Sequence, residues 1–235
     1  MLIYLQNGLN KVNIMSNIAL ITGLTGNFTK LNPVDEGLLQ HSFVYTTNKT
    51  QEFKEEAISK GWNIKYLNHL EHTENLPLAS IQSKDVKFCK FDFDDPEPLI
   101  DHYDYILYAD HKFIFTKEQV NILLDNFDNE CVCAVGQQGS NVFEEFFSAT
   151  AYQRYIDCMG EMRRNIDHYV EIKGWEYCSS RTTPMANMSY ILWNTKHPNF
   201  QTFIKDLQQE QAEYKHPECQ ILFTLFMKQR QHEIQ

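Results

Sequence analysis

A few short stretches carry side chains able to do chemistry. Tyr103-Asp104-Tyr105-Ile106-Leu107-Tyr108 is the most apolar strand-like run, and it leads into Ala109-Asp110-His111-Lys112. A carboxylate at the mouth of a buried strand can hold a divalent cation or a sugar hydroxyl. Asp110 and His111 are both competent metal ligands, and Lys112 is a cation suited to a phosphate. The bland reading of Asp110 is a strand-end residue capping its own loop. A second loop, Gly23-Leu24-Thr25-Gly26-Asn27, follows the run Asn17 to Thr22. It has neither the Gly-x-Gly-x-x-Gly spacing of a dinucleotide turn nor the Gly-Lys-Ser/Thr of a phosphate loop, so a tight turn and a nucleotide contact both stay open. Glu218-Cys219-Gln220 and Glu144-Glu145 each open a helical stretch. A carboxylate there can serve as a general base, and it is also favoured simply by the helix dipole.

The pattern of apolar residues says what must position these groups. Short β-branched and aromatic runs predict strands at 17–22, 41–47, 62–67, 85–93, 103–108, 131–135 and 188–194. Helical spacing predicts helices at 51–60, 117–126, 200–214 and 220–229. From Val142 to Lys173 apolar residues recur every three or four positions, which predicts helix broken near Gly160 and stopped at Gly174. Alternating strands and helices in the first half imply a single α/β domain over 1–235, with a mostly parallel central sheet and helices on both faces. In such sheets ligands sit beyond the carboxyl ends of the strands, which selects the loops after Thr22 and Tyr108. Residues 1–14 read either as an upstream extension or as a short ordered segment.

Composition narrows the partners. The 235 residues carry 21 Lys and Arg against 31 Asp and Glu, a net charge of −10. That balance argues against nucleic acid and anionic lipid, which select basic faces. No run reaches the roughly 20 apolar residues of a membrane span. Six cysteines at irregular spacing, in a chain of this size, suit reduced thiols and a cytoplasmic setting. Cys131 and Cys133 read as two thiols on one face of a strand.

The order of these elements resembles the nucleotide-sugar glycosyltransferases of the GT-A type, with their Rossmann-like domain. More narrowly, it is similar to the domain-of-unknown-function glycosyltransferases of plant, bacterial and giant-virus polysaccharide pathways. Their Ser-Arg-x-x-Lys element is matched by Ser83-Lys84-Asp85-Val86-Lys87, and their Tyr-Asp-Tyr strand with its Asp-x-Asp metal motif by Tyr103 to Asp110. Gly136 to Ser140 with Glu144-Glu145, Tyr169 to Gly174, Met188 to Trp193 and Glu218-Cys219-Gln220 follow in the family's order. Two positions depart from it. Lys112 stands where the second carboxylate of the metal motif is expected, and Cys219 where relatives carry an Asp.

The resemblance implies sugar transfer from a nucleoside diphosphate donor to a glycan hydroxyl. It implies Thr22, Gly23 and Thr25 near the nucleotide, and Lys84 and Lys87 on phosphates or sugar. Asp110 would contact ribose, sugar or metal, and Lys112 the diphosphate. Glu218 is the first choice of base, with Glu144 and Glu145 in reserve. Either Asp110 and His111 hold Mn²⁺ or Mg²⁺, or Lys112 substitutes for the metal. Trp193 and the tyrosines of the long helix are candidates for stacking sugars, although at such spacing they are more often core. A non-catalytic glycan- or nucleotide-binding relative is the alternative, favoured by the altered metal motif. A nucleotidyltransferase ranks behind both, because it needs a basic first loop and this one has only Lys30.

Overall fold

The computed structural model describes residues 17–26, 30–67, 90, 98–127, 130–137, 139–181 and 185–230. The predicted strand at 85–93, with Lys84 and Lys87, lies outside them. A six-stranded sheet has the order β3-β2-β1-β4-β6-β5. Its strands are β1 (Ile18–Leu24), β2 (Ser42–Thr46), β3 (Asn63–Tyr66), β4 (Tyr105–Ala109), β5 (Val132–Gln137) and β6 (Met185–Asn194). β1 to β4 run parallel, and β6 is antiparallel to both β4 and β5. Five strands therefore share one direction and β6 alone is reversed, the mostly parallel sheet expected from the alternating elements. The chain steps from β1 outward to β2 and β3, then crosses back to lay β4 on the other side of β1. That reversal is the topological switch point at which open α/β sheets form ligand crevices.

Helices cover both faces. One face carries the 3₁₀ turn Glu36–His41, α1 (Gln51–Ser59) and α3 (Lys117–Asp125), where Leu38, Phe53, Ala57 and Val120 meet Leu20, Val44 and Leu107. The other carries α8 (Phe200–Tyr214) and α9 (Cys219–Gln229). Phe200, Phe203, Leu222, Phe223 and Phe226 pack there on Ile21, Ile106, Tyr108 and Trp193. A third cluster joins α9 to α4 (Val142–Ala149), α6 (Met159–Lys173) and α7 (Trp175–Ser179) through Ile221, Leu225, Val142, Met162, Ile166 and Cys178. α9 is thus sandwiched between the sheet and a helical layer, which is why every residue from Ile221 to Phe226 is buried. The short helices α2 (Leu99–His102) and α5 (Gln153–Ile156) complete the described elements.

The expected break at Gly160 falls elsewhere. Gly160 lies inside the first turn of α6, whereas the chain leaves α4 at Thr150, whose hydroxyl donates to Phe147 O (2.6 Å), and passes through α5 before α6 begins. Gly174 does end α6, at φ 86°. The cysteine expectation is also corrected. β5 starts at Val132, so Cys131 precedes it and packs with Trp193, while Cys133 packs on the opposite face. The five described cysteines are free thiols, and burial pushes Cys131 up to about 12. Among the described residues no helix is long and apolar enough to cross a membrane.

α1 ends in a Schellman motif. Gly61 N–H donates to Ile58 O (3.0 Å) and Trp62 N–H to Ala57 O (2.9 Å), with Gly61 at φ +84°. A Cβ on Gly61 would strike Leu39 Cδ2, a methyl on an exposed side chain that can rotate away. What remains is the left-handed backbone, so Gly61→Ala is expected to cost about 1–2 kcal/mol in urea unfolding. A cost near zero would show that the loop can re-form with φ negative.

Candidate functional site

The site is built at the carboxyl end of β4. Ile106 and Tyr108 point to the α8/α9 face and Leu107 and Ala109 to the other, so alternation returns Asp110 to the side of Tyr108. The Tyr108 hydroxyl donates to Asp110 Oδ1 (2.9 Å). β6 reaches the same level, since Asp110 N–H donates to Ser189 O (2.8 Å). Phe113 N–H closes a turn onto Asp110 O (2.9 Å), and Asn32 Nδ2 secures His111 O (3.0 Å). The mouth of β4 is therefore tied down on both sides.

Beneath Asp110 sits Lys90, a residue that no sequence motif singles out. It donates from Nζ to Met188 O (2.7 Å) and ion-pairs with Asp110 Oδ1 (3.3 Å). The same ammonium lies over the Tyr108 ring, 4.7 Å from its centroid, and 3.9 Å from Cys219 Sγ. Its side chain is 4% exposed against 26% for Asp110. A buried ammonium is retained only when paired and hydrogen-bonded, and a carbonyl, a carboxylate and an aromatic face supply that here. Lys112 approaches from the solvent side, Nζ 4.0 Å from Asp110 Oδ2 and 62% exposed. Burial lowers the His111 pKa, with Asp110 opposing that shift and Lys112 adding to it.

The β1 loop lies beside this mouth. β1 and β4 pair from Ile18 with Tyr105 to Ile21 with Tyr108, and continuing that register sets Gly23 next to Asp110. Gly23 and Thr25 share the sheet face of Ile21. Thr22 does not: it follows Leu20's neighbour Ile21 and precedes Gly23, so it shares the face of Leu20 and Leu24, whose side chains pack into the α1/α3 layer. Gly26 N–H is held by Thr47 Oγ1 (3.0 Å), linking the loop to the end of β2.

α9 brings the carboxylates. Its N-cap is Glu218, whose Oε1 accepts from Gln220 N–H (3.0 Å) and which is buried. Cys219, one residue on, touches Lys90, so the helix start and the Asp110 ion pair adjoin. Gln220 Nε2 donates to Glu145 Oε1 (2.7 Å). Glu144 is engaged elsewhere, forming a capping box on α4 with Asn141 (3.0 and 3.1 Å) and pairing with Arg181. Of the reserve pair, Glu145 alone meets the α9 start. Its carboxyl is raised above the ordinary range by burial and then by the Glu218 charge, against the Gln220 hydrogen bond. Glu218→Gln is therefore expected to lower the Glu145 pKa part of the way back, read by carbon NMR titration of the glutamate carboxyls. An unmoved value would mean that burial alone sets it.

Trp193 and Tyr169 are buried in the core and take no part in the site. Lys84 and Lys87 lie outside the described residues. Among those residues no group of three His, Cys, Asp or Glu is arranged to hold a metal. The donor set at Asp110 does not suit a divalent cation either: Oδ1 is engaged by a hydroxyl and an ammonium, and a second ammonium faces Oδ2.

Neither a protein-family model nor a curated protein sequence matches the chain. Three solved structures align with most of its length. Mouse xyloside xylosyltransferase 1, apo form, aligns over 92% of this chain and 82% of its own at 11% identity, with a TM-score of 0.45. The WbbM bifunctional glycosyltransferase aligns over 93% and 38% at 12% identity, TM-score 0.49. The mannosyltransferase Ktr4p of S. cerevisiae aligns over 90% and 65% at 9% identity, TM-score 0.45. All three neighbours are glycosyltransferases, and the chain spans well under half of WbbM.

Proposed function

We propose that the protein is a GT-A type glycosyltransferase that moves a sugar from a nucleoside diphosphate donor to a hydroxyl of a glycan. The observation that supports this most is the Asp110 carboxylate at the β1/β4 switch point, backed by Lys90 and flanked by the exposed Lys112. The β1 loop, with Gly23 and Thr25, takes the nucleotide. Asp110 accepts from a ribose or sugar hydroxyl, and Lys112 meets the diphosphate. On transfer, the bond from the anomeric carbon to the phosphate oxygen breaks, and a bond to the acceptor oxygen forms. The leaving diphosphate gains negative charge that a preorganised cation stabilises.

Glu145 takes the acceptor proton in this reading, in preference to Glu218. Glu218 is buried and its carboxylate caps α9, whereas Glu145 is partly exposed and its raised pKa makes it the stronger base. A thermal-shift panel of nucleoside diphosphates and nucleotide sugars tests the proposal, because a ligand that binds the folded state raises stability by mass action. Selective stabilisation by one nucleotide, reduced by Asp110→Asn, is expected. Silence across the panel would sink the reading. Given a donor, Glu145→Gln should lower transfer by about 10²–10⁴-fold with donor affinity intact, and Glu218→Gln should do less.

A further inference from the structure

In the proteins that this sequence resembles, a divalent cation belongs at the end of β4; in this chain an ammonium already stands there. We infer that Lys90 takes the place of the metal at Asp110, so that the site receives a nucleoside diphosphate without Mn²⁺ or Mg²⁺, with Lys112 as the cation that meets the phosphates.

The grounds are electrostatic and geometric. Lys90 Nζ lies 3.3 Å from Asp110 Oδ1, and the Tyr108 hydroxyl occupies the same oxygen at 2.9 Å. A metal ion on Oδ1 would have to displace both. The ammonium is nearly shut off from water, because its side chain is 4% exposed and Met188 O holds it at 2.7 Å. A dication beside it is repelled twice as strongly as a single charge at the same separation, and in a poorly solvated site that repulsion is little screened. On the open side, Lys112 Nζ stands 4.0 Å from Oδ2. Among the described residues two ammonium groups meet the single carboxylate of Asp110, an arrangement that suits a diphosphate and disfavours a metal. Lys90 is thus the fixed charge that locks Asp110, and Lys112 the mobile one that leaves Asp110 for the ligand.

The ligand class rests on the glycosyltransferase reading, whereas the exclusion of metal does not, so the test separates them. Mn²⁺ alone is titrated into the protein and followed by the free-ion EPR signal, for the wild type, Asp110→Asn and Lys90→Met. Expected is no Mn²⁺ binding in the wild type, or binding that Asp110→Asn leaves unchanged. Binding in the wild type that Asp110→Asn abolishes would overturn the inference, whatever the substrate proves to be. Lys90→Met should create an Asp110-dependent Mn²⁺ site if it folds; the wild-type comparison decides the question if it does not. In parallel, the nucleoside diphosphate that shifts melting is measured with EDTA and with Mn²⁺. Equal affinity in both, weakened roughly tenfold or more by Lys112→Ala, supports the metal-free site, and affinity present only with Mn²⁺ overturns it. Failure of every nucleotide in both arms would remove the glycosyltransferase reading while the EPR result still stands.

Discussion

Asp110→Ala is expected to destabilise the fold by about 3–5 kcal/mol, the cost of stranding a buried charge when its partner is removed. Lys90→Met is expected to cost less, about 1–3 kcal/mol, and the asymmetry follows from exposure. Without Asp110 the Lys90 ammonium keeps, among the described residues, Met188 O, the Cys219 sulfur and the Tyr108 face, in a place 4% open to water. Without Lys90 the Asp110 carboxylate, 26% exposed, still has the Tyr108 hydroxyl, the nearby Lys112 and solvent. Methionine also replaces most of the apolar stem that Lys90 packs into its slot. Urea unfolding at neutral pH of the two variants and their double checks this. The double variant should cost less than the two single costs combined, because removing Asp110 alone strands the Lys90 ammonium and the double variant removes that charge as well. Lys90→Met costing as much as Asp110→Ala, or strictly additive effects, would mean that the 3.3 Å pair is not the interaction that holds this corner.

The parts of this site that are legible in the sequence are those fixed by local pattern. Asp110 stands out because it ends the most apolar strand, and the sheet then places it at the switch point beside Gly23, as the rule for α/β crevices requires. The stop at Gly174 and the acidic start of α9 are written in residue type in the same way. Lys90 is not legible. It stands within the predicted strand 85–93, where a lysine between Cys89 and Phe91 gives no sign of a buried partner, and its partners lie 98 residues away at Met188 and 129 away at Cys219. No local rule carries that information. Glu145 and Gln220 are joined across 75 residues, which is why only the fold separates two adjacent glutamates: Asn141 and Arg181 take one and Gln220 the other. Thr22 turns away from the Asp110 side for a simpler reason. The strand runs on to Leu24, so alternation turns its side chain toward α1, and a strand ended at Thr22 hides that.

The largest loss of stability is expected from Trp193→Ala. Trp193 sits in β6, paired with Ile106 of β4 on one side and Val132 of β5 on the other. Its ring is fully buried beneath α8 and α9, with ring centroids of Phe200, Phe203 and Phe223 at 6.2, 6.3 and 6.1 Å. Truncation removes the transfer free energy of the indole and leaves a cavity walled by a sheet and two helices, neither of which can collapse into it. About 4–5 kcal/mol is expected, the upper part of the range for large aromatic deletions, which is a large share of the roughly 5–15 kcal/mol that holds a typical domain. For a chain of this length that corresponds to a fall in Tm of roughly 8–20 °C. Trp193→Phe should recover much of it, because a phenyl ring still meets Phe223 edge to face. Trp175 supplies the contrast: it stacks on Phe143 at 4.1 Å but is 60% exposed, and Trp175→Ala should cost about 1 kcal/mol or less. Equal losses at the two tryptophans would contradict a core centred on the β4–β6–β5 side of the sheet. Because that core also seats α9, whose first residue touches Lys90, Trp193→Ala should weaken nucleotide binding as well, whereas Trp175→Ala should leave it unchanged.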